Sequence, residues 1–173
     1  MNAPVKPGRT GYVRSGVMMD VIDGANLPTL KDLDDMAGLF EAEGGEDLYV
    51  RWSRGPDTDL GNGLAQASRD GLTGIRLPGL SANSLKVEPW WNGRSVRLWL
   101  ARRLYDYQHL RDLRGPDVRP WVLRGRLVAR GPDNEPLVHC ERPLAWVADE
   151  VLQEARELVD EQGSREWGPM DRR

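Results

Sequence analysis

The stretch "RPWVLRGRLVARGPDNEPLVHCE", residues 119–141, decides the predicted fold. Its first half alternates between an apolar and a basic side, and a period of two is typical of a strand with one buried face. The last six letters, "PLVHCE", predict a partner strand. Between the two runs stands "RGPD", and Gly, Pro and Asp together are typical of a turn. We therefore predict two adjacent strands joined by a turn. The apolar positions are Trp121, Leu123, Leu127 and Ala129, and the basic ones are Arg124, Arg126 and Arg130.

Apolar residues at helical spacing predict three amphipathic helices elsewhere in the chain. The first is capped by Thr29 and ends at the Gly44-Gly45 pair, and the second is capped by Ser95 and extends to Leu110. The third begins at Leu144 and ends at Gly163. Helices mixed with strands, without regular alternation, favour an α+β domain in which about three helices pack on a mainly antiparallel sheet.

Further strands and one long loop are predicted between the first two helices. Residues 47–53, "DLYVRWS", alternate as a strand on which Arg51 points away from the apolar side. Residues 54–78 predict a long loop with a brief hairpin around "DGLTG", and loops of that length are commonly functional. The following stretch, "LPGLSANSLKVEPWW", predicts a short strand that leads into a turn at Pro89.

Length and composition set the predicted organisation. At 173 residues we expect one domain over residues 13–163, a flexible arm over 1–12 and a polar tail over 164–173. The sequence has no apolar run long enough to span a membrane and no secretory signal pattern, so we expect a soluble cytoplasmic protein without a membrane partner. A single cysteine, Cys140, excludes an internal disulfide, and we expect it to be an ordinary, partly buried thiol. No metal-ligand spacing is present, so we predict no metal site.

Charge is unevenly distributed along the chain. The formal net charge is −3, yet residues 94–130 hold ten arginines and three aspartates, a local charge of +7. Such segregation indicates an anionic ligand, a protein partner or nucleic acid at this segment. The alternative is that acidic helices pack beside the segment and neutralise it internally.

The tetrapeptide "RGPD" occurs three times, beginning at residues 54, 114 and 130. The separations differ, so the copies are not a structural repeat, and we interpret each as a turn. The third copy is followed by Asn134 and Glu135, which places Asp133 and Glu135 two residues apart. On a strand these two carboxylates would share one face and could serve general-base or oxocarbenium-stabilising chemistry.

Two resemblances give these residues a context. The segments "LYVRWSRGPDTDL", "WLARRLYDYQHL" and "PWVLRGRLVARGPDNEPLV" resemble a family of small actinobacterial proteins described only as a domain of unknown function, over roughly residues 30–155. The set "YVRWS", "LSANS" and "DNE" resembles the ADP-ribosyltransferases of the Arg-Ser-Glu type. In that superfamily an arginine on an early strand holds the dinucleotide, a Ser-x-Ser/Thr strand braces the site, and a late glutamate acts on the ribose.

The second resemblance implies a site for NAD. Arg51 would grip the pyrophosphate with its guanidinium fork, and Ser81 and Ser84 would brace the site, although two residues separate them here instead of one. Glu135 would stabilise the ribose cation as nicotinamide departs, with Asp133 as its acidic companion. The aromatic rings of Tyr49 and Trp52 would stack on adenine or nicotinamide.

Two further classes of function stay open. A non-catalytic protein-protein or regulatory module needs no catalytic residues, and nucleic-acid binding would use the basic segment 94–130. A hydrolase would draw on residues such as Asp57, Asp59, Asp70 and His109, whose mutual geometry the sequence does not define.

Overall fold

A computed structural model describes residues 24–61 and 67–163. The predicted arm and the predicted tail lie outside the described residues, and so does "GVMMDVID" (residues 16–23), for which the sequence predicts a short strand. The two strands that we expected at 119–141 form the longest hairpin in the described part, β5 (Arg119–Arg130) and β6 (Pro136–Val147), which pair antiparallel. Both strands are longer than the mean strand of five or six residues, which lets them run along most of the sheet.

One sheet is built around this hairpin. Its order is β1-β6-β5-β2-β4, with β1 (Thr29–Leu30) parallel to β6 and β2 (Leu48–Ser53) antiparallel to β5. Residues 80–84 then join opposite edges, because β3 (Leu80–Ser81) pairs with β6 while β4 (Asn83–Ser84) pairs with β2. The crossover from one edge to the other curls the sheet back on itself. The prediction of an α+β fold with a mainly antiparallel sheet is confirmed.

The helices of the described part are α1 (Leu33–Ala42), α2 (Pro56–Leu60), α3 (Val96–Tyr107), α4 (His109–Arg114) and α5 (Asp149–Gln162). Helices α1, α3 and α5 pack on the outer face of the curled sheet, whereas α2 lies on the inner side, where Leu60 packs against the smaller cluster. The predicted Ser95 cap is confirmed, since its hydroxyl accepts from the Leu98 N–H at 3.3 Å. Gly44 and Gly45, with φ of 82° and 69°, end the chain's first helical segment as expected. Within the described ranges every helix is too short or too polar to cross a bilayer.

Three predicted helix boundaries are wrong. Asp32, not Thr29, caps α1 by accepting from the Asp35 N–H at 2.7 Å, because Thr29 is paired with β6 in β1. The segment from Leu144 to Val147 is strand rather than helix, since β6 continues to Val147 opposite β5. The second predicted helix is divided at Gln108 into α3 and α4. In the first two cases pairing with a distant strand overrides the local helical spacing.

Two apolar clusters lie on opposite faces of the sheet. The larger one packs α1, α3 and α5 against the outer face and contains Trp52, Trp91 and Trp99. The smaller one lies inside the curl and contains Tyr49, Trp121, Leu123, Val138 and Cys140, together with Leu80 and Ala82 of the crossover. Both faces of the central strands are therefore buried, and all six residues of β2 are buried.

Candidate functional site

Arg51 lies inside the curl, on the face of β2 opposite Val50 and Trp52, as its alternation predicted. That face is not open to a ligand, however, because the Arg51 residue is only 7% exposed. Its Nε and Nη2 donate to the two carboxylate oxygens of Asp59 at 2.6 and 3.0 Å. The guanidinium fork that would grip a pyrophosphate therefore holds the carboxylate of α2.

The remaining donor atom of Arg51 ties down two more segments. Its Nη1 donates to the Ser68 hydroxyl at 3.1 Å and to the Ser81 carbonyl at 2.6 Å. The Ser68 hydroxyl also accepts from the Ser81 N–H at 2.8 Å. Arg51 thus joins α2, the loop at residue 68 and the crossover strand β3, so that its bonds are those of a structural clamp.

Ser53 completes this buried network. Its hydroxyl donates at 2.5 Å to Asp59 Oδ2, the oxygen that also accepts from Arg51 Nε. The same hydroxyl accepts from the Trp121 indole N–H at 2.9 Å and from the Gly55 N–H at 3.1 Å. We name the cluster formed by Arg51, Ser53, Asp59, Ser68 and Ser81 the Arg51 clamp. Every one of its charged groups is paired, which is the condition under which a buried ion pair is tolerated.

The first "RGPD" copy supplies the change of direction that brings Asp59 to Arg51. Gly55 has a φ of 126°, Pro56 begins α2, and Asp57 accepts from the Gly24 N–H at 2.8 Å. A Cβ at Gly55 would lie 2.5 Å from the Trp146 ring, so only glycine fits. The other copies also mark changes of direction, at the end of α4 and between β5 and β6. The interpretation of "RGPD" as a turn is confirmed for the second and third copies, whereas the first copy begins α2.

Glu135 and Asp133 lie in the β5–β6 turn. The Glu135 carboxylate folds back on its own turn and accepts from the Asp133 N–H at 2.9 Å, while the Asp133 residue is exposed. Asn134, between them, has a φ of 62°. The two acids therefore do not project as neighbours on one strand face. No contact in the described residues joins Glu135 to Arg51, whose charge is balanced by Asp59.

The other residues predicted to contact NAD lie in different parts of the structure. Ser81 joins Arg51 through its carbonyl, whereas the Ser84 hydroxyl accepts from the Lys86 N–H at 3.2 Å. Tyr49 is buried inside the curl, where burial raises the pKa of its hydroxyl, and Trp52 is buried on the opposite face of β2. The two rings cannot stack on one ligand from opposite faces of the same strand. The structure thus brings Arg51 and Ser81 together and separates the rest of the set.

The arginine-rich segment is neutralised in part by carboxylates of the same domain. Arg97 pairs with Glu154, Arg111 with Asp149, and Arg124 with Glu43. Glu154 and Asp149 belong to α5, and Glu43 caps the C-terminus of α1. Acidic residues of the helices thus pair with the basic segment, which is the alternative stated in the sequence analysis. The hydrogen bond from Arg124 lowers the pKa of Glu43, and Arg142 adds to the effect. This segment is consequently not a continuous basic face.

The candidate hydrolytic residues do not converge. Asp59 belongs to the Arg51 clamp, Asp57 holds Gly24, Asp70 lies in a hairpin turn and His109 lies on α4. Cys140 is buried, and burial raises the pKa of its thiol to about 12. In residues 24–61 and 67–163 no group of three or more His, Cys, Asp or Glu could hold a metal ion.

A hairpin over residues 68–79 protrudes from the domain. The N–H of Asp70 donates to the Ile75 carbonyl at 2.8 Å, and the N–H of Leu77 donates to the Ser68 carbonyl at 2.8 Å. At its tip the Leu72 residue is 98% exposed, and Ile75 is 64% exposed. We call this element the 68–79 hairpin. The sequence predicted the hairpin from "DGLTG", but nothing in the pattern indicated that its two large apolar side chains face solvent.

A cleft opens between α4 and α5 and reaches Trp52 on β2. It encloses about 850 Å³ and has Trp52 and Leu152 among its lining residues, with charged side chains around them. Five carboxylates and two arginines line it, so its formal charge is −3 with His109 neutral. The buried Trp52 Nε1 has no hydrogen-bond partner in the described residues. We call this feature the α4–α5 cleft.

Comparison with known proteins identifies the family of this chain but gives no activity for it. Residues 23–168 match the model of a family described as "Family of unknown function (DUF6098)", and the chain belongs to that family. The resemblance to a family of unknown function is therefore confirmed. Neither the curated proteins nor the solved structures contain a match.

Proposed function

We propose that this protein is a non-catalytic interaction module and that the 68–79 hairpin is its principal contact with a protein partner. The observation that carries the proposal is the exposure of Leu72 at the tip. Burial of a leucine side chain contributes roughly 1.5–3 kcal/mol, and an exposed leucine does not gain this free energy. Ile75, three residues later in the same hairpin, is also largely exposed, so a partner would cover two large apolar side chains at once.

The hairpin tip is held in one conformation before any partner arrives. Asp70 accepts from the Thr73 N–H at 3.0 Å and from the Thr73 hydroxyl, and the Gly74 N–H donates to the Asp70 carbonyl at 2.9 Å. The Thr73 hydroxyl bond lowers the pKa of Asp70, so the turn is held by a carboxylate that is charged at neutral pH. A preformed tip loses less conformational entropy on binding than a flexible loop would.

The base of the hairpin is anchored by the Arg51 clamp. Ser68, the first residue of the hairpin, accepts from Arg51 and from the Ser81 N–H, and its own N–H donates to the Gly79 carbonyl at 2.9 Å. The buried ion pair thereby sets the position from which Leu72 projects. On this proposal Arg51 acts as a positioning residue for an interaction surface.

A photoreactive phenylalanine at position 72 tests the proposal. We expect it to form a discrete adduct with a partner protein when the full chain is irradiated in an extract of its source cells. The matched control carries the same group at Glu41, an exposed position on α1, and should form no such adduct. Adducts of equal yield at both positions, or none at position 72, would contradict the proposal.

Two finer expectations from the sequence remain predictions. We place such a module in the cytoplasm. ADP-ribosyltransferase activity with NAD would require Arg51 to exchange Asp59 for a pyrophosphate, and its test is the melting temperature in millimolar NAD. A rise that Arg51→Lys abolishes would favour the enzyme over the interaction module. An unchanged melting temperature is the result that the interaction module leads us to expect.

A further inference from the structure

We infer that the partner of the 68–79 hairpin is a second copy of this chain, with Leu72 of one copy inserted into the α4–α5 cleft of the next. This inference rests on the proposed function, because it assigns a partner to the same hairpin. It depends on three properties of the two surfaces, namely their shape, their charge and their separation in one molecule.

The shapes of the two surfaces match. The hairpin presents a narrow protrusion whose outermost side chain is Leu72, at 98% exposure. The cleft offers about 850 Å³, a volume within the range of roughly 300–1,000 Å³ that is typical of ligand pockets. Leu152 of α5, which is 7% exposed, and Trp52 are the apolar residues of its lining.

The charges of the two surfaces are opposite. Arg69 and Arg76 flank the hairpin tip, and Asp70, its acid, has its carboxylate directed into the turn. The lining of the cleft has a formal charge of −3. Asp112 and Glu150 there have no ion pair within the part of the chain that the structure describes. An arginine-flanked tip would therefore meet carboxylates that lack a cation of their own.

The two surfaces cannot be the same patch. None of residues 68–79 lines the cleft, so each copy can give a hairpin and receive one. Such a head-to-tail contact is heterologous and produces chains or rings instead of a symmetric dimer. A contact built on one hairpin tip is small, and small interfaces are transient, so we expect association that depends steeply on concentration.

Sedimentation equilibrium of the full chain, from about 10 μM to about 1 mM, tests the inference. We expect the average mass of the wild type to rise with concentration. Leu72→Asp should weaken association roughly tenfold or more, since it replaces the buried leucine by a charge that the acidic cleft repels. The cleft variant Asp112→Arg/Glu150→Arg should weaken association similarly. The control Glu41→Arg, an exposed reversal on α1, should leave the mass unchanged.

Mixing the two interface variants gives the decisive result. Each variant alone should stay largely monomeric at concentrations where the wild type associates, because one lacks a hairpin tip and the other an acidic cleft. In a 1:1 mixture the intact hairpin of the cleft variant should enter the intact cleft of Leu72→Asp, and a species of two chains should appear. Circular dichroism checks that both variants fold, as expected for exposed positions.

Three outcomes would overturn the inference. They are a wild type that stays monomeric throughout, a Leu72→Asp variant that associates as the wild type does, and a mixture that stays monomeric while the wild type associates. A monomeric wild type whose position 72 still forms adducts with a different protein removes this inference and leaves the proposed function standing. Absence of any adduct at position 72 removes both.

Discussion

Removal of the Arg51 side chain should destabilise the fold more than almost any other single change. In Arg51→Ala the Asp59 carboxylate loses both guanidinium bonds while its side chain stays about nine-tenths buried, at 10% exposure. Breaking one partner of a buried pair costs about 3–5 kcal/mol, because an uncompensated charge remains in the interior. For a chain of this size each kcal/mol lowers the melting temperature by about 2–4 °C, so we expect a fall of roughly 6–20 °C.

Urea unfolding followed by circular dichroism measures this loss. The matched control is Arg126→Ala, an exposed arginine on β5, which should change the free energy of unfolding by less than about 0.5 kcal/mol. The double variant Arg51→Met/Asp59→Leu should recover most of the loss, since replacing a whole buried pair by apolar residues is often neutral. If Arg51→Ala lowers the free energy of unfolding by less than about 1 kcal/mol, the Arg51 clamp is refuted. Arg51 would then again be a candidate for binding a ligand.

Three further perturbations test other parts of the fold. The Arg124 hydrogen bond lowers the pKa of Glu43 from its ordinary value of 4.5, so Glu43→Gln should cost stability at neutral pH, and the difference from wild type in urea midpoints should vanish as pH falls through and below 4.5. Cys140, with a pKa of about 12, should react with a disulfide reagent at pH 8 only as fast as the chain unfolds, and rapid labelling in native buffer would contradict its burial. Gly55→Ala should destabilise by about 1–3 kcal/mol because its φ is 126°, whereas Gly38→Ala, at an open helical position, should stabilise by roughly 0.5–1 kcal/mol; thermal melts that rank the two alike would contradict this assignment.

Local patterns predicted most of the elements, because each has a periodicity that neighbouring residues alone produce. The alternation in 119–130 and the turn chemistry of "RGPD" predicted β5 and its hairpin with β6. Helical spacing predicted α1, α3 and α5, and turn residues predicted the 68–79 hairpin. The predicted helix starts were wrong at Thr29 and at Leu144, because both residues pair with a distant strand instead.

The proposed roles of individual residues could not be predicted in the same way. An arginine that alternates away from an apolar side was expected to face a ligand, because one strand by itself carries no information about what covers its second face. The sequence of this protein by itself determined its fold class, most of its longer strands and helices, and the turn between β5 and β6. Only the tertiary structure decided that the sheet curls, that Asp59 meets Arg51 inside the curl, and that Leu72 remains in solvent. Each of those outcomes depends on contacts between segments far apart in the chain, which local spacing does not encode.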